Sequence, residues 1–188
     1  MTYKTKGNRR VLVTKKLIGD ALLKLLETKS IERITITELC ETAHVNRSTF
    51  YHHYASQYEV LTEIENQKVE DIKALLDKMD TKKSFSIREQ TEAICEYVKE
   101  NKSAFLLFMN SKYILDEFCE KLSDIMLKKD FVEKHAPDEL SSEQKNLWAD
   151  FYHGGFYYLI YSWLSEDSSA TPAEVAELIC NFIPMTKK

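Results

Sequence analysis

Between Thr35 and Tyr54 two apolar stripes at helical spacing stand only three residues apart, and no other feature restricts the fold as tightly. The first opens at Thr35, where Thr35-x-x-Glu38 has the form of a capping box, and it sets Ile36, Leu39, Cys40 and Ala43 on one face. His44, Val45 and Asn46 follow. Asn46 is a good N-cap residue for the run Arg47-Ser48-Thr49-Phe50-Tyr51-His52-His53-Tyr54 behind it. Phe50 and Tyr54, four apart, share an inward face, whereas Ser48 and His52 lie roughly opposite, flanked by Thr49 and Tyr51.

Two short helices joined by so brief a turn have the helix-turn-helix layout, in which the second helix presents its first turns, here residues 47–53, to a DNA major groove. Its outward face carries hydroxyls, imidazoles and a guanidinium, which donate to phosphate oxygens or base edges, and a Thr methyl and a Tyr ring, which touch a thymine methyl. The bland alternative is that Thr49, Tyr51 and His53 merely cap, pack and solvate a small three-helix unit. A preceding helix completes that unit, with Thr14 as N-cap and Ile18, Ala21, Leu22 and Leu25 at i, i+3, i+4 and i+7. His52 and His53 do not suggest a metal, because neighbours on a helix point about 100° apart.

Charge supports the same division of labour. Residues 1–60 hold ten Lys or Arg against six Asp or Glu, a net +4, so the rest of this -4 chain carries -8. Lys4, Lys6, Arg9, Arg10, Lys15 and Lys16 form a basic arm with no acidic residue before Asp20, suited to phosphate contact and counterion release. Alone, such an arm is more often just a solvated tail.

The run "ITITELCETAHVNRSTFYHHYASQYEVL", residues 34–61, resembles the DNA-binding signature of the TetR family of repressors, and the likeness extends over about residues 9–61. The resemblance implies a homodimer on palindromic double-stranded operator DNA, answering to a small-molecule effector. Carried over, it assigns Thr37 to a second-helix position facing DNA, Arg47, Ser48, Thr49 and Tyr51 to the groove, and His53 to a phosphate. His52 joins them on side-chain direction, and Lys6, Arg9 and Arg10 on charge. Two positions depart from the family: His44 stands where the turn usually has glycine, and Gln57 where a lysine commonly pins a phosphate. Histidine tolerates the left-handed conformation at modest cost, but Gln57 lacks the charge for a strong phosphate contact.

With only four glycines and three prolines, the remainder reads as long helices, over about 58–79, 87–99, 103–110, 112–129, 142–164 and 172–183. The expected fold is therefore all-α, with about nine helices: a helix-turn-helix domain over 1–56 and a larger ligand-binding and dimerisation domain over 57–188. The segment 146–164 is apolar nearly all round, more than one stripe can bury, so a second subunit is expected to cover part of it. The expected dimer surface is Trp148, Phe151, Tyr152, Gly155, Phe156 and Leu159, with Val175, Leu178, Ile179 and Phe182 from the last helix. Gly154 and Gly155 would admit another backbone, or simply mark a kink. Phe105, Phe108, Met109, Tyr113, His153 and Tyr157 are candidates to line an effector pocket, though such stretches are more often plain core.

Four widely spaced cysteines, with no CxxC or His/Cys cluster, read as reduced core residues, and neither a metal nor a cofactor is expected. No stretch has signal-peptide character or the roughly twenty apolar residues of a membrane span, so a soluble cytoplasmic protein is expected. A nucleophile elbow, HExxH, a P-loop and a dinucleotide fingerprint are all missing, which argues against an enzyme. The rival readings that stay open are a DNA organiser binding many sites and a helical protein-binding adaptor.

Overall fold

The computed structural model describes residues 3–80, 86–110, 118, 121, 132–133, 135–166 and 168–182. Among them, regular structure is helical throughout: α1 (Tyr3–Leu26), a single 3₁₀ turn (Ile31–Arg33), α2 (Ile36–Ala43), α3 (Arg47–His53), α4 (Gln57–Asp80), α5 (Ile87–Glu100), α6 (Lys102–Asn110), α7 (Ser142–Ser165) and α8 (Pro172–Phe182). The periodicities of the sequence locate these helices to within about two residues, except at the start of α1. The helix expected over 112–129 lies outside the described residues.

The chain divides into two compact units, Met1–Lys68 and Val69–Lys188, with the boundary inside α4. The first unit takes in more of α4 than the sequence division at 56/57, because Val60 and Leu61 are buried in its core. Gly19 of α1 meets Ile64 there, at a spacing where an added Cβ would lie 3.6 Å from the isoleucine.

The core of the first unit is built from the residues that the stripes select. Ile18, Ala21 and Leu22 of α1, Leu39, Cys40 and Ala43 of α2, and Phe50 of α3 are buried together with Ile31 and Ile34 of the connecting turn. Helix α1 does not open at Thr14. It begins at Tyr3, so the basic arm is helical and Thr14 lies mid-helix. A helix nucleated downstream extends at little cost through Lys, Arg and Leu, and outcompetes a threonine cap. The expected capping box at Thr35 forms only by half: the Thr35 hydroxyl accepts from the Glu38 N–H at 3.2 Å, while the Glu38 carboxylate pairs with the Lys29 ammonium instead. A full charge is a stronger partner for a carboxylate than a backbone amide.

In the second unit, α5 and α8 pack against each other, and Arg88 pairs with Glu177 at 3.0 Å. Helix α5 starts at a complete capping box, Ser86 with Glu89, and α7 at another, Ser141 with Gln144. Phe105 and Phe108 of α6 enclose Phe118 with ring centroids 5.7 and 5.0 Å from it. The Tyr157 hydroxyl of α7 donates to the Met109 carbonyl at 2.9 Å, tying α7 to α6. Between α7 and α8, the Trp163 indole N–H donates to the Ala170 carbonyl at 2.9 Å, and Lys99 of α5 lies over the Trp163 ring.

Candidate nucleic-acid interface

The turn from α2 to α3 is made by His44, Val45 and Asn46. His44 adopts the left-handed conformation, φ 56° and ψ 39°, as the C-cap of α2, and it is the one described non-glycine residue with positive φ. Its N–H donates to the Glu41 carbonyl and that of Val45 to the Cys40 carbonyl, which occupies carbonyls that the helix end would leave open. Histidine therefore performs the turn in which glycine would be the less strained choice. Asn46 holds the N-cap position of α3 with extended backbone, but its side chain makes no capping bond; its carbonyl accepts the Phe50 N–H at 2.9 Å.

What orients α3 is its aromatic anchor. Phe50 is fully buried and Tyr54 almost so, their rings 5.8 Å apart. Burial, reinforced by the neighbouring Glu63 carboxylate, raises the Tyr54 phenol well above its ordinary pKa and keeps it neutral. Lys15 of α1 lies 5.1 Å from the Tyr54 ring centre and donates to Glu63 at 2.6 Å. That ion pair neutralises Lys15 inside the unit, so it adds little to the charge of the arm.

With Phe50 and Tyr54 held inward, the polar side of α3 faces out. Arg47, Ser48, Tyr51 and His52 are exposed, Tyr51 to 52 %, while Thr49 and His53 are half-buried. The Arg47 guanidinium lies 6.0 Å from the centre of the Tyr51 ring, near the limit at which a cation is attracted to an aromatic face. No acidic residue lies in the first turn of α3. His53 sits 5.0 Å from the His52 ring, and burial, then His52 and Lys15, lower its pKa against the opposing pull of Glu63. Arg47 and Tyr51, one turn apart, thus present a cation and a flat donor side by side, the combination that reaches phosphates and base edges.

Thr37 of α2 and Arg9 and Arg10 of α1 are also exposed; the side chains of Lys6 and Tyr113 lie outside the described residues. Gln57 is half-buried, with its amide nitrogen 3.5 Å from the Ile31 carbonyl oxygen. Tyr58, exposed in the first turn of α4, carries no motif signal because periodicity counts tyrosine as apolar. Among the described residues no three His, Cys, Asp or Glu are grouped to hold a metal, and no helix is long and apolar enough to cross a membrane.

In the second unit, the expected pairing surface splits. Val175 is buried in the protomer's own core, so it has nothing left to offer a second subunit. Phe151, Leu178 and Phe182 are exposed, as are Leu147 and Tyr158, whereas Trp148, Tyr152, Phe156, Leu159 and Ile179 are half-buried. Gly155 is exposed, and nothing described lies within 4 Å of a Cβ built on it. Of the pocket candidates, Phe105, Phe108 and Met109 are core residues, and Tyr157 and His153 are half-buried.

Residues 18–64 match the family model of bacterial regulatory proteins of the tetR family, and residues 86–185 that of a transcriptional regulator C-terminal region. The chain is 25% identical over 174 residues to YxbF, an uncharacterized HTH-type transcriptional regulator of Bacillus subtilis (strain 168), covering 88% of this chain and 43% of that protein. It is 24% identical over 113 residues to DhaS, the HTH-type dhaKLM operon transcriptional activator of Lactococcus lactis subsp. lactis (strain IL1403), covering 60% of this chain and 55% of DhaS. The chain thus spans about half the length of the curated relatives it matches. Its fold is similar to that of a TetR transcriptional regulator from Streptococcus agalactiae 2603V, with a TM-score of 0.74 at 18% identity over 97% of this chain and 99% of that one.

Proposed function

We propose that this chain, which belongs to the TetR family of bacterial transcriptional regulators, is a ligand-responsive repressor that grips palindromic operator DNA as a homodimer and lets go when a small molecule binds its second unit. The observation that carries the reading is α3: seven residues anchored by buried Phe50, with Arg47, Ser48, Tyr51 and His52 turned to solvent. In this reading Arg47, Ser48, Thr49 and Tyr51 enter the groove, while Thr37, His52, His53, Lys6, Arg9 and Arg10 hold phosphates. The units 1–68 and 69–188 divide DNA binding from effector response and pairing.

Exposed apolar side chains of α7 and α8 support pairing. Phe151 and Phe182 are 77 % and 65 % exposed in the protomer, and with exposed Leu147, Tyr158 and Leu178 they put more large apolar side chains in water on these two helices than singly scattered surface residues would. A two-fold pair then sets its recognition helices one DNA turn apart, roughly 34–36 Å, on a near-palindrome. The effector must bind one conformation better than the other. Half-buried Tyr157, whose hydroxyl reaches Met109 beside the packed core of Phe105 and Phe108, and half-buried His153 one turn before it are the candidates left to meet an apolar molecule that carries little negative charge. The DhaS relative is an activator by name, so a reporter assay that shows activation in place of repression would reverse the sign proposed here.

The test is fluorescence anisotropy on DNA from upstream of the chain's own gene, with excess unrelated duplex, paired with a reporter assay. Wild type should prefer one palindrome by at least about a thousandfold, and Tyr51→Ala should weaken that binding by about ten- to a hundredfold with circular dichroism unchanged. Equal binding to all duplexes would make the chain a DNA organiser, and no salt-sensitive binding at all would make it an adaptor.

A further inference from the structure

Three helices of the first unit meet around one ammonium group. Lys15 of α1 donates a hydrogen bond at 2.6 Å to the carboxylate of Glu63, which lies in the second turn of α4. The same ammonium lies 5.1 Å from the centre of the Tyr54 ring, within the range at which a cation is drawn to an aromatic face. Tyr54 is the C-cap of α3; it is almost fully buried, and its N–H donates to the Phe50 carbonyl at 2.9 Å, closing the recognition helix. One turn further along α1, Gly19 faces Ile64, the residue after Glu63, so closely that an added Cβ would lie 3.6 Å from the isoleucine. Helices α1 and α4 therefore meet at two successive turns of α1, once through an ion pair and once through direct packing. Burial first, then the charge and hydrogen bond of Glu63, keep the Tyr54 phenol protonated, in keeping with one carboxylate that serves both neighbours.

We infer that Glu63 is a positioning residue for DNA recognition: by directing Lys15 onto the Tyr54 ring it clamps the C-terminal end of α3 between α1 and α4, and so fixes the tilt at which Arg47, Ser48, Thr49 and Tyr51 are presented. Apolar burial is non-directional, so Phe50 and Tyr54 hold α3 inward without setting that tilt. An ion pair that ends on a ring edge or face is directional, and a recognition surface is only as sharp as the contacts that lock its supporting side chains. Because the Lys15 charge is taken up by Glu63, the contribution of the pair to DNA binding is geometric instead of electrostatic. The inference rests on the DNA-binding reading of α3. The rival account is that the pair is one more partly exposed salt bridge with no bearing on recognition.

The full chain is compared with Glu63→Gln, Lys15→Met and the double variant, each titrated by anisotropy with the preferred palindrome and with unrelated duplex, and each checked for folding by circular dichroism. The two single substitutions change the net charge by one unit in opposite directions. Charge alone would therefore move them apart, Glu63→Gln binding every duplex more tightly and Lys15→Met less tightly. Positioning instead makes both lose preference for the palindrome over unrelated duplex. The expected loss is about two- to fivefold, the range for an ion pair whose partners are 31 % and 45 % exposed. The double variant should lose no more than the larger single loss, since either change already breaks the pair. Lys15→Arg, which rebuilds the pair, should restore the preference, and if one single variant loses helicity the contrast between Lys15→Arg and the other decides. A wild-type chain with no preference among duplexes would remove the DNA-binding reading and this inference with it. A selective wild type whose preference survives both substitutions, or shifts in opposite directions, would overturn this inference alone.

Discussion

Phe151→Ser gives the sharpest test of the pairing surface. In the protomer Phe151 is 77 % exposed on α7. Fully burying a phenylalanine stabilises by about 1.5–3 kcal/mol, so covering three quarters of this one contributes about 1.2–2.3 kcal/mol. A two-fold interface uses the residue twice, which doubles the effect to about 2.3–4.6 kcal/mol. At about 1.4 kcal/mol per decade, the dimer Kd should rise between about fiftyfold and about two-thousandfold. Sedimentation velocity over a dilution series reads that constant directly. Circular dichroism serves as the control for helix content, since the serine itself costs α7 only a few tenths of a kcal/mol. Operator affinity should fall alongside, because a lone recognition helix contacts a single half-site. A Kd within about threefold of wild type, with helicity intact, would refute the assignment of α7 to the interface, whatever the DNA results.

Arg10→Gln, at an exposed arginine assigned to a phosphate, should lower the slope of log affinity against log salt by about 0.9, the share of one phosphate contact, and an unchanged slope would take Arg10 off the backbone. Gly19→Ala should raise the stability of the first unit by about 0.5–1 kcal/mol in urea unfolding, because its Cβ would meet Ile64 at an ordinary 3.6 Å and alanine is the better helix former; a lower midpoint would mean the site is tighter than its geometry. For His153, burial lowers the imidazole pKa, with Asp150 opposing. The unfolded chain therefore takes up the proton more readily, so stability is full above the ordinary imidazole value of about 6.5 and declines as pH falls below it. His153→Gln should flatten that decline in thermal melts taken across the same range.

Much of the architecture was legible in the residues alone because its signals are local. Thr35 caps α2, and stripes such as Leu39, Cys40 and Ala43 mark the faces that turn inward. The inward turn of Phe50 and Tyr54, and with it the outward turn of Ser48 and His52, follows from the 3.6-residue period. Even the replacement of glycine by His44 in the turn was compatible with the left-handed backbone that the structure adopts.

Competition between partners was decided only in three dimensions. Whether α1 stops at Thr14 or runs back to Tyr3, and whether Glu38 turns to Thr35 or to Lys29, depends on which neighbour is stronger once the chain is folded. Helix α7 is apolar on every side, so its period assigns no face; packing against α6 and the loop before α8 buries Ile160, Trp163 and Leu164 and leaves Leu147, Phe151 and Tyr158 in water. The contact of Cys180 on α8 with Thr91 on α5 has no sequence signature at all. A helix records its own period in the chain, but the register of one helix against another is set by side chains that meet only after folding.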